Sequence, residues 1–202
     1  NYLENIVKTL DSDKSIVAAS PKIIHGGLKN TIWYCGWYKS WGFLKFHKLM
    51  NLKKNRIIDH PSYRGIKDTD VVSGCCSIYK ADALKLSGLG DEIFFFGPED
   101  FDLSFRLKKY GRLVVNLDVK TFHMLTQSSK VSGWLSRSYY EAKGFLILIK
   151  KRGDLLDKVI GYSYFVLRIP YYLILLALKK REKDRVYGYC LGCYDFFLNK
   201  KL

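Results

Sequence analysis

Three carboxylates, Glu99, Asp100 and Asp102, fall within four positions of the stretch FFFGPEDFDLSFRLKKYG, Phe94 to Gly111. They stand out in a chain of 202 residues whose formal net charge is +15. Acids spaced this closely suit two kinds of chemistry. At a helix N-terminus they complement the positive end of the helix dipole, and Pro98 fits the first turn of such a helix. Beside an apolar wall, supplied here by Phe94, Phe95 and Phe96, a carboxylate holds protons more readily and becomes a usable general base. Phe101, Phe105 and Leu107 add a core-facing stripe. Asp102 and Arg106, four apart, can pair on the helix surface. Gly111 sits where a terminal helix glycine belongs. These residues by themselves leave cap and site equally open.

Other chemistry-bearing positions are fewer. Gly74 interrupts an apolar run, DTDVVSGCCSIYK, and a glycine inside a strand often marks a bulge or a close approach by a ligand. His123 ends a strand-like segment, where packing and a binding role are equally open. Of the five cysteines, Cys75 and Cys76 are adjacent, which makes a poor disulfide framework and favours a reducing compartment. Cys190 and Cys193 have metal spacing without a second pair of ligands, and read as small apolar packing.

The elements that must position these residues follow from periodicity. NYLENIVKTL places Leu3, Ile6, Val7 and Leu10 on one helix face. It opens as though in mid-helix, as a piece of something longer would. KSIVAASPKII predicts a short buried strand, a break at Pro21 and a second extended piece. NTIWYCGWY predicts another strand, and Lys39 to Lys67 a long basic connection. Asp68 to Lys80 reads as a buried strand, ADALKLSGLG as a short helix with glycine stops, and RLVVNLDVKTFH as a strand. A helix is predicted over SGWLSRSYYEAKGFLILIKKRGD. Val159 to Leu178 is then almost continuously apolar, broken by Arg168 and Pro170. Its length would just span a bilayer, but a central Arg is costly in lipid and Pro kinks a helix. A helix lying in the membrane interface is the better expectation, with the basic KKREKDR flank facing anionic lipid.

Composition bounds the rest. Hydrophobic residues at 48% and charged residues at 26% exclude a disordered chain. The 15% aromatic share suits surfaces that meet carbohydrate, lipid or nucleic acid. The basic excess predicts attraction to polyanions.

The block VVSGCCSIYKADALKLSGLGDEIFFFGPEDFDLSFRLKKYGRLVVNLDVKTFHMLTQSS resembles the catalytic half of glycosyltransferase family 2, in particular its rhamnosyltransferase-like branch. The matching parts are Ser73-Gly74, Gly88 to Gly90, GDEIFFFG, Glu99-Asp100-Phe101-Asp102-Leu103 with Arg106, Gly111, His123 and Ser128-Ser129. PKIIHGGLKNTIWYCGW and YDFFLNKK resemble flanking parts of the family. The family's N-terminal nucleotide-binding half, with its Asp-x-Asp motif, has no counterpart here. Lys143-Gly144 stand where members often carry Arg-Asn, and Lys keeps the charge but loses the planar fork.

The resemblance implies an α/β fold: a partial, Rossmann-like GT-A mixed sheet with helices over 1–127, then a helical, membrane-associated extension over 128–202. It implies an inverting transferase moving a sugar from a nucleotide-sugar donor to a glycan or lipid-linked acceptor, in cell-surface polysaccharide synthesis at the cytoplasmic face of the plasma membrane. Asp100 is then the base and Glu99 its helper. Gly74, Asp102 and Lys143 bind substrate, with Asp102 also the structural partner of Arg106. His123 contacts the metal, Mg2+ or Mn2+, or the diphosphate. Three other readings compete: a non-catalytic truncated remnant, a nucleic-acid-binding protein, and a peripheral membrane adaptor. No nucleic-acid module is recognisable, so no nucleic-acid partner is expected.

Overall fold

Two strands, β1 (Ile16–His25) and β8 (Arg112–His123), run parallel down the middle of a six-stranded sheet. The computed structural model describes residues 1–28, 30–39, 46–48, 57–124, 133–179 and 182–199, with backbone alone at 38, 46–48, 57 and 134. Nine of the ten β1 residues are buried, the signature of an interior strand covered on both faces. β6 (Ile66–Thr69) lies antiparallel to β8 on its far edge. The other edge of β1 is shared by β7 (Ile78–Tyr79), paired at Ala18 and Ala19, and by β2 (Thr31–Tyr34), paired at Ile23 and Ile24. β5 (Ile57–Ile58) extends the sheet beyond β2, and β3 (Trp37–Lys39) pairs separately with β4 (Phe46–Lys48).

Pro21 does not break β1. The strand continues through it, and the parallel register steps from Pro21↔Asn116 to Lys22↔Lys120. Proline has no N–H for the ladder, so the irregularity falls on β8, where the Leu117 N–H turns to the Gly65 carbonyl at 3.0 Å. The stretch from Lys39 to Lys67 holds β4, β5 and the start of β6; positions 40–45 and 49–56 lie outside the described residues. The Asp68 to Lys80 run is strand only at its ends, because side-chain hydroxyls and a carboxylate satisfy the backbone amides between them.

α1 (Tyr2–Asp11) packs Ile6 and Leu10 onto β1 and β8, whereas Leu3 and Val7 face solvent. α2 (Ala81–Ser87) and α3 (Glu99–Leu107) cover the sheet with Ala83 and Leu107 beside Val17, Val72 and Leu113. Gly111 ends the α3 turn for want of space, not for a left-handed cap: a Cβ there would meet the Ser15 carbonyl oxygen at 2.4 Å.

The chain divides into two compact units. The first contains the described residues within Asn1–Ser40, Lys45–Gly90 and Asp100–Gln127. The second contains those within Asp91–Glu99 and Ser128–Leu202. In the second unit, α4 (Gly133–Arg152) and α6 (Lys183–Phe197) lie close together because Gly188 and Gly192 bring backbone against the Leu135 and Tyr139 carbonyls. α5 (Leu155–Ala177) starts at a capping box, Asp154 with Asp157. It contains most of the apolar run, with Pro170 inside the helix. Among the described residues it is the one helix long and apolar enough, by length and composition, to cross a membrane, and only 17% of its most apolar window is buried. Cys190 and Cys193 are free thiols on α6, and burial pushes the Cys193 thiol up to about 12.

Candidate active site

α3 forms where the sequence predicts it, and one of its faces grips the loop between β6 and β7. Asp100 and Ser104 are one helical turn apart, so their side chains stand in line. Asp100 Oδ2 accepts a 2.8 Å bond from the Gly74 N–H, and Ser104 Oγ accepts one of 3.1 Å from the Val72 N–H. The Ser73 N–H between them donates to Ser20 Oγ on β1 at 3.3 Å. Three consecutive amides are thereby fixed by side chains, and Ser77 Oγ closes the turn by donating to the Ser73 carbonyl at 2.5 Å. A polar loop beside a sheet needs this satisfaction, since an unpaired buried amide is costly.

Gly74 makes the grip possible. A Cβ at that position would sit 2.0 Å from Asp100 Oδ1, so only glycine lets the carboxylate lie against the loop. Gly74 is exposed and Asp100 half-buried, which leaves the pair reachable from solvent. Asp100 also acts electrostatically on its surroundings. Burial first, and then the Asp100 charge, push the Tyr79 hydroxyl up to about 12. The deeply buried Tyr34, whose hydroxyl donates to the Val71 carbonyl at 2.7 Å, is raised by burial above all, with a smaller contribution from Asp100.

The other candidates have different surroundings. Glu99, at the first position of α3, is exposed. Asp102 pairs with Arg106 as spaced, at 2.8 Å, but the carboxylate is wholly buried, not on the surface. Arg106 then donates to the carbonyls of Ser87, Gly88 and Leu89 at 2.6 to 2.8 Å. That brace fixes the glycine-rich exit of α2. Lys143 is buried in the second unit, where Nζ donates to the Tyr139 hydroxyl at 3.0 Å, and that hydroxyl donates to Asp195. The phenylalanines ahead of α3 engage α4 within the same unit. Phe95 meets Tyr140 with ring centroids 4.7 Å apart, and Arg137 lies over Phe96 at 5.4 Å. Phe94 is buried, whereas Phe95 and Phe96 stay exposed, at 74% and 36%, despite these contacts.

His123 ends β8 with its ring 4.7 Å from that of Trp33, and its register partner on β1 is His25. His25 Nδ1 accepts the Gly27 N–H at 3.0 Å. Among the described residues no group of three or more His, Cys, Asp or Glu side chains stands together as a metal site. Two imidazoles are a poor match for a hard cation that prefers oxygen ligands, so the described residues do not fit Mg2+ or Mn2+ unaided.

Sequence reasoning missed Ser104, although its spacing from Asp100 was visible. It also missed the buried Lys22, whose Nζ lies 2.7 Å from Asp59 and 3.1 Å from the Tyr63 carbonyl. No local pattern pointed to that pair.

No family model matches the chain, and no curated protein does. Among solved structures the chain is similar to one described as the crystal structure of GalNAc-T7 with UDP, GalNAc and Mn2+. The TM-score is 0.50 and the sequence identity 16%, over 98% of this chain and 37% of that one. The chain thus spans little more than a third of the length of the structure it matches. At this identity the likeness is one of architecture: the chain has a mixed α/β fold that resembles a GT-A domain.

Proposed function

We propose that the chain is the acceptor-side part of a glycosyltransferase, in which Asp100 takes the proton of an acceptor hydroxyl. The observation that carries this reading is the Asp100 carboxylate, half-buried and bonded to the amide of an exposed glycine 26 positions away. A helix cap alone needs no such partner. The family 2 resemblance and the GT-A-like fold point the same way, although fold by itself assigns no chemistry.

In the reaction, the acceptor oxygen attacks the anomeric carbon while its proton passes to the Asp100 carboxylate. The bond from that carbon to the nucleoside diphosphate breaks, and the configuration inverts. The amide bond from Gly74 fixes Oδ2, and a carboxylate has lone pairs beyond those one donor uses. Gly74 allows the sugar to approach the backbone closely. Glu99 positions the acceptor, and Asp102 contributes through the Arg106 brace. His123 is the diphosphate-side candidate; Lys143, buried within the second unit, supports the Tyr139 hydroxyl there and is given no contact with the sugar. The donor by this reading is a nucleotide sugar, whose departing nucleoside diphosphate has its counterpart in the UDP of the similar structure, and the acceptor a glycan or lipid-linked glycan. A divalent cation, as Mn2+ is there, requires ligands additional to the described residues, and no step here runs through it. The exposed apolar face of α5 and the basic start of α6 suit a peripheral position on an anionic membrane, at the cytoplasmic face if the cysteines remain reduced.

The test is transfer from a panel of radiolabelled nucleotide sugars to membrane-extracted acceptors. Asp100→Asn is expected to lower turnover by about 10²- to 10⁴-fold, the usual contribution of a general base, with donor affinity unchanged. Near-normal turnover in that variant would remove Asp100 as the base.

A further inference from the structure

Within the second unit, α4, α5 and α6 line an open cavity of about 430 Å³. Its lining includes three guanidinium groups, Arg137, Arg168 and Arg185, against one carboxylate, Glu141. Arg137 is paired with Glu141 at 3.0 Å. Arg168 is held otherwise. It donates to the hydroxyls of Tyr164 and Tyr172, and it lies 4.9, 4.8 and 5.8 Å from the ring centroids of Tyr164, Tyr172 and Tyr189. Among the described residues no carboxylate lies within ion-pair distance of Arg168.

Arg168 is half-buried, so water meets part of its charge and the rest falls to its neighbours. Aromatic faces and hydroxyls steady the guanidinium without neutralising it, and only two of its five N–H donors go to those hydroxyls. We infer that the cavity is a binding site for a phosphoryl group. Several guanidinium forks match the tetrahedral oxygens and double charge of a phosphate ester better than a single carboxylate. The surroundings suit a phosphate carried on hydrocarbon. An apolar cavity of about 510 Å³, lined by Val166, Ile169, Leu191 and Phe197 among others, lies between α5 and α6, and Leu167 and Ile174 are exposed on α5. The inference rests on the second unit alone and does not depend on glycosyl transfer.

The experiment measures binding of inorganic diphosphate by calorimetry, and of vesicles of phosphatidylcholine with and without phosphatidic acid by co-sedimentation. Wild-type protein, Arg168→Gln, Arg185→Gln and the distant control Lys85→Gln are compared, each checked for folding by circular dichroism. Diphosphate binding that weakens at least tenfold in a folded Arg168→Gln or Arg185→Gln variant, but not in the control, supports the site. If diphosphate also displaces the protein from phosphatidic acid vesicles, the phosphate comes from a lipid headgroup; if vesicles are ignored, it comes from a soluble phosphate. Absence of diphosphate binding, or equal binding in both folded arginine variants, overturns the inference. Should Arg168→Gln unfold, Arg185→Gln alone decides.

Discussion

A methyl group added at Gly74 would lie 2.0 Å from Asp100 Oδ1, so Gly74→Ala forces the carboxylate aside without touching it chemically. The obstacle is the end of a side chain, not backbone, and can swing away. Gly74→Ala is therefore expected to change stability by no more than about 1 kcal/mol, while sugar transfer falls at least about tenfold because a misplaced base loses its geometry. Urea denaturation and the transfer assay together check this; a folded, fully active variant would show that the Gly74–Asp100 contact is not used. The acidic cluster was visible in the sequence, but its division of labour was not. Asp102 is buried under Arg106, Glu99 is exposed, and Asp100 alone of the three meets Gly74. Neighbouring residues on a helix point in different directions, and what each one meets depends on segments distant in sequence.

Between elements, the sheet depends on a charged cluster that a hydrophobicity pattern cannot show. Lys22 on β1 and Lys120 on β8 are register partners, and both reach Asp59 just after β5, at 2.7 and 2.5 Å. Burial by itself would raise the Asp59 carboxyl, but bonds from Lys120 and Lys22 outweigh it and hold the group below its ordinary value. A depressed folded value stabilises the protein fully above the usual carboxylate range, near pH about 3.9, and that contribution is lost as pH falls through the folded value. Asp59→Asn leaves Lys22 buried without its counter-charge and is expected to cost about 3 kcal/mol at neutral pH. Comparison of urea midpoints at pH 7 and pH 3 should show a smaller acid-induced drop in Asp59→Asn than in wild type. Equal drops would mean that the cluster does not link stability to pH.

For the molecule as a whole, the feature to explain is the exposed apolar face of α5. Leu167, Leu173, Ile174 and Leu178 are each at least half exposed, and an apolar side chain moved from water into lipid contributes roughly 1.5 to 3 kcal/mol. Leu167→Glu with Ile174→Glu is thus expected to reduce partitioning onto anionic vesicles by more than about tenfold while the helices stay folded. Unchanged partitioning would take the membrane contact away from this face. Periodicity showed α5 as a helix with a costly arginine in it. The partners Tyr164 and Tyr172, four positions to either side of Arg168, were also there to be read. Tyr189 and the cavity were not, because they come from α6.

The sequence by itself determined the local pieces: a helix beginning at the acidic cluster, the long strand ending at His123, an apolar helix interrupted by arginine and proline, and cysteines that form no disulfide framework. Such features follow from side-chain spacing over one or two turns, which short-range sterics and hydrophobicity set directly. Tertiary structure alone decided that β1 runs through Pro21, that Lys22 is buried against Asp59, and that Asp100 lies against Gly74. Each of these depends on a backbone or a charge brought from more than twenty residues away, where only the assembled sheet and its packed helices determine which groups meet.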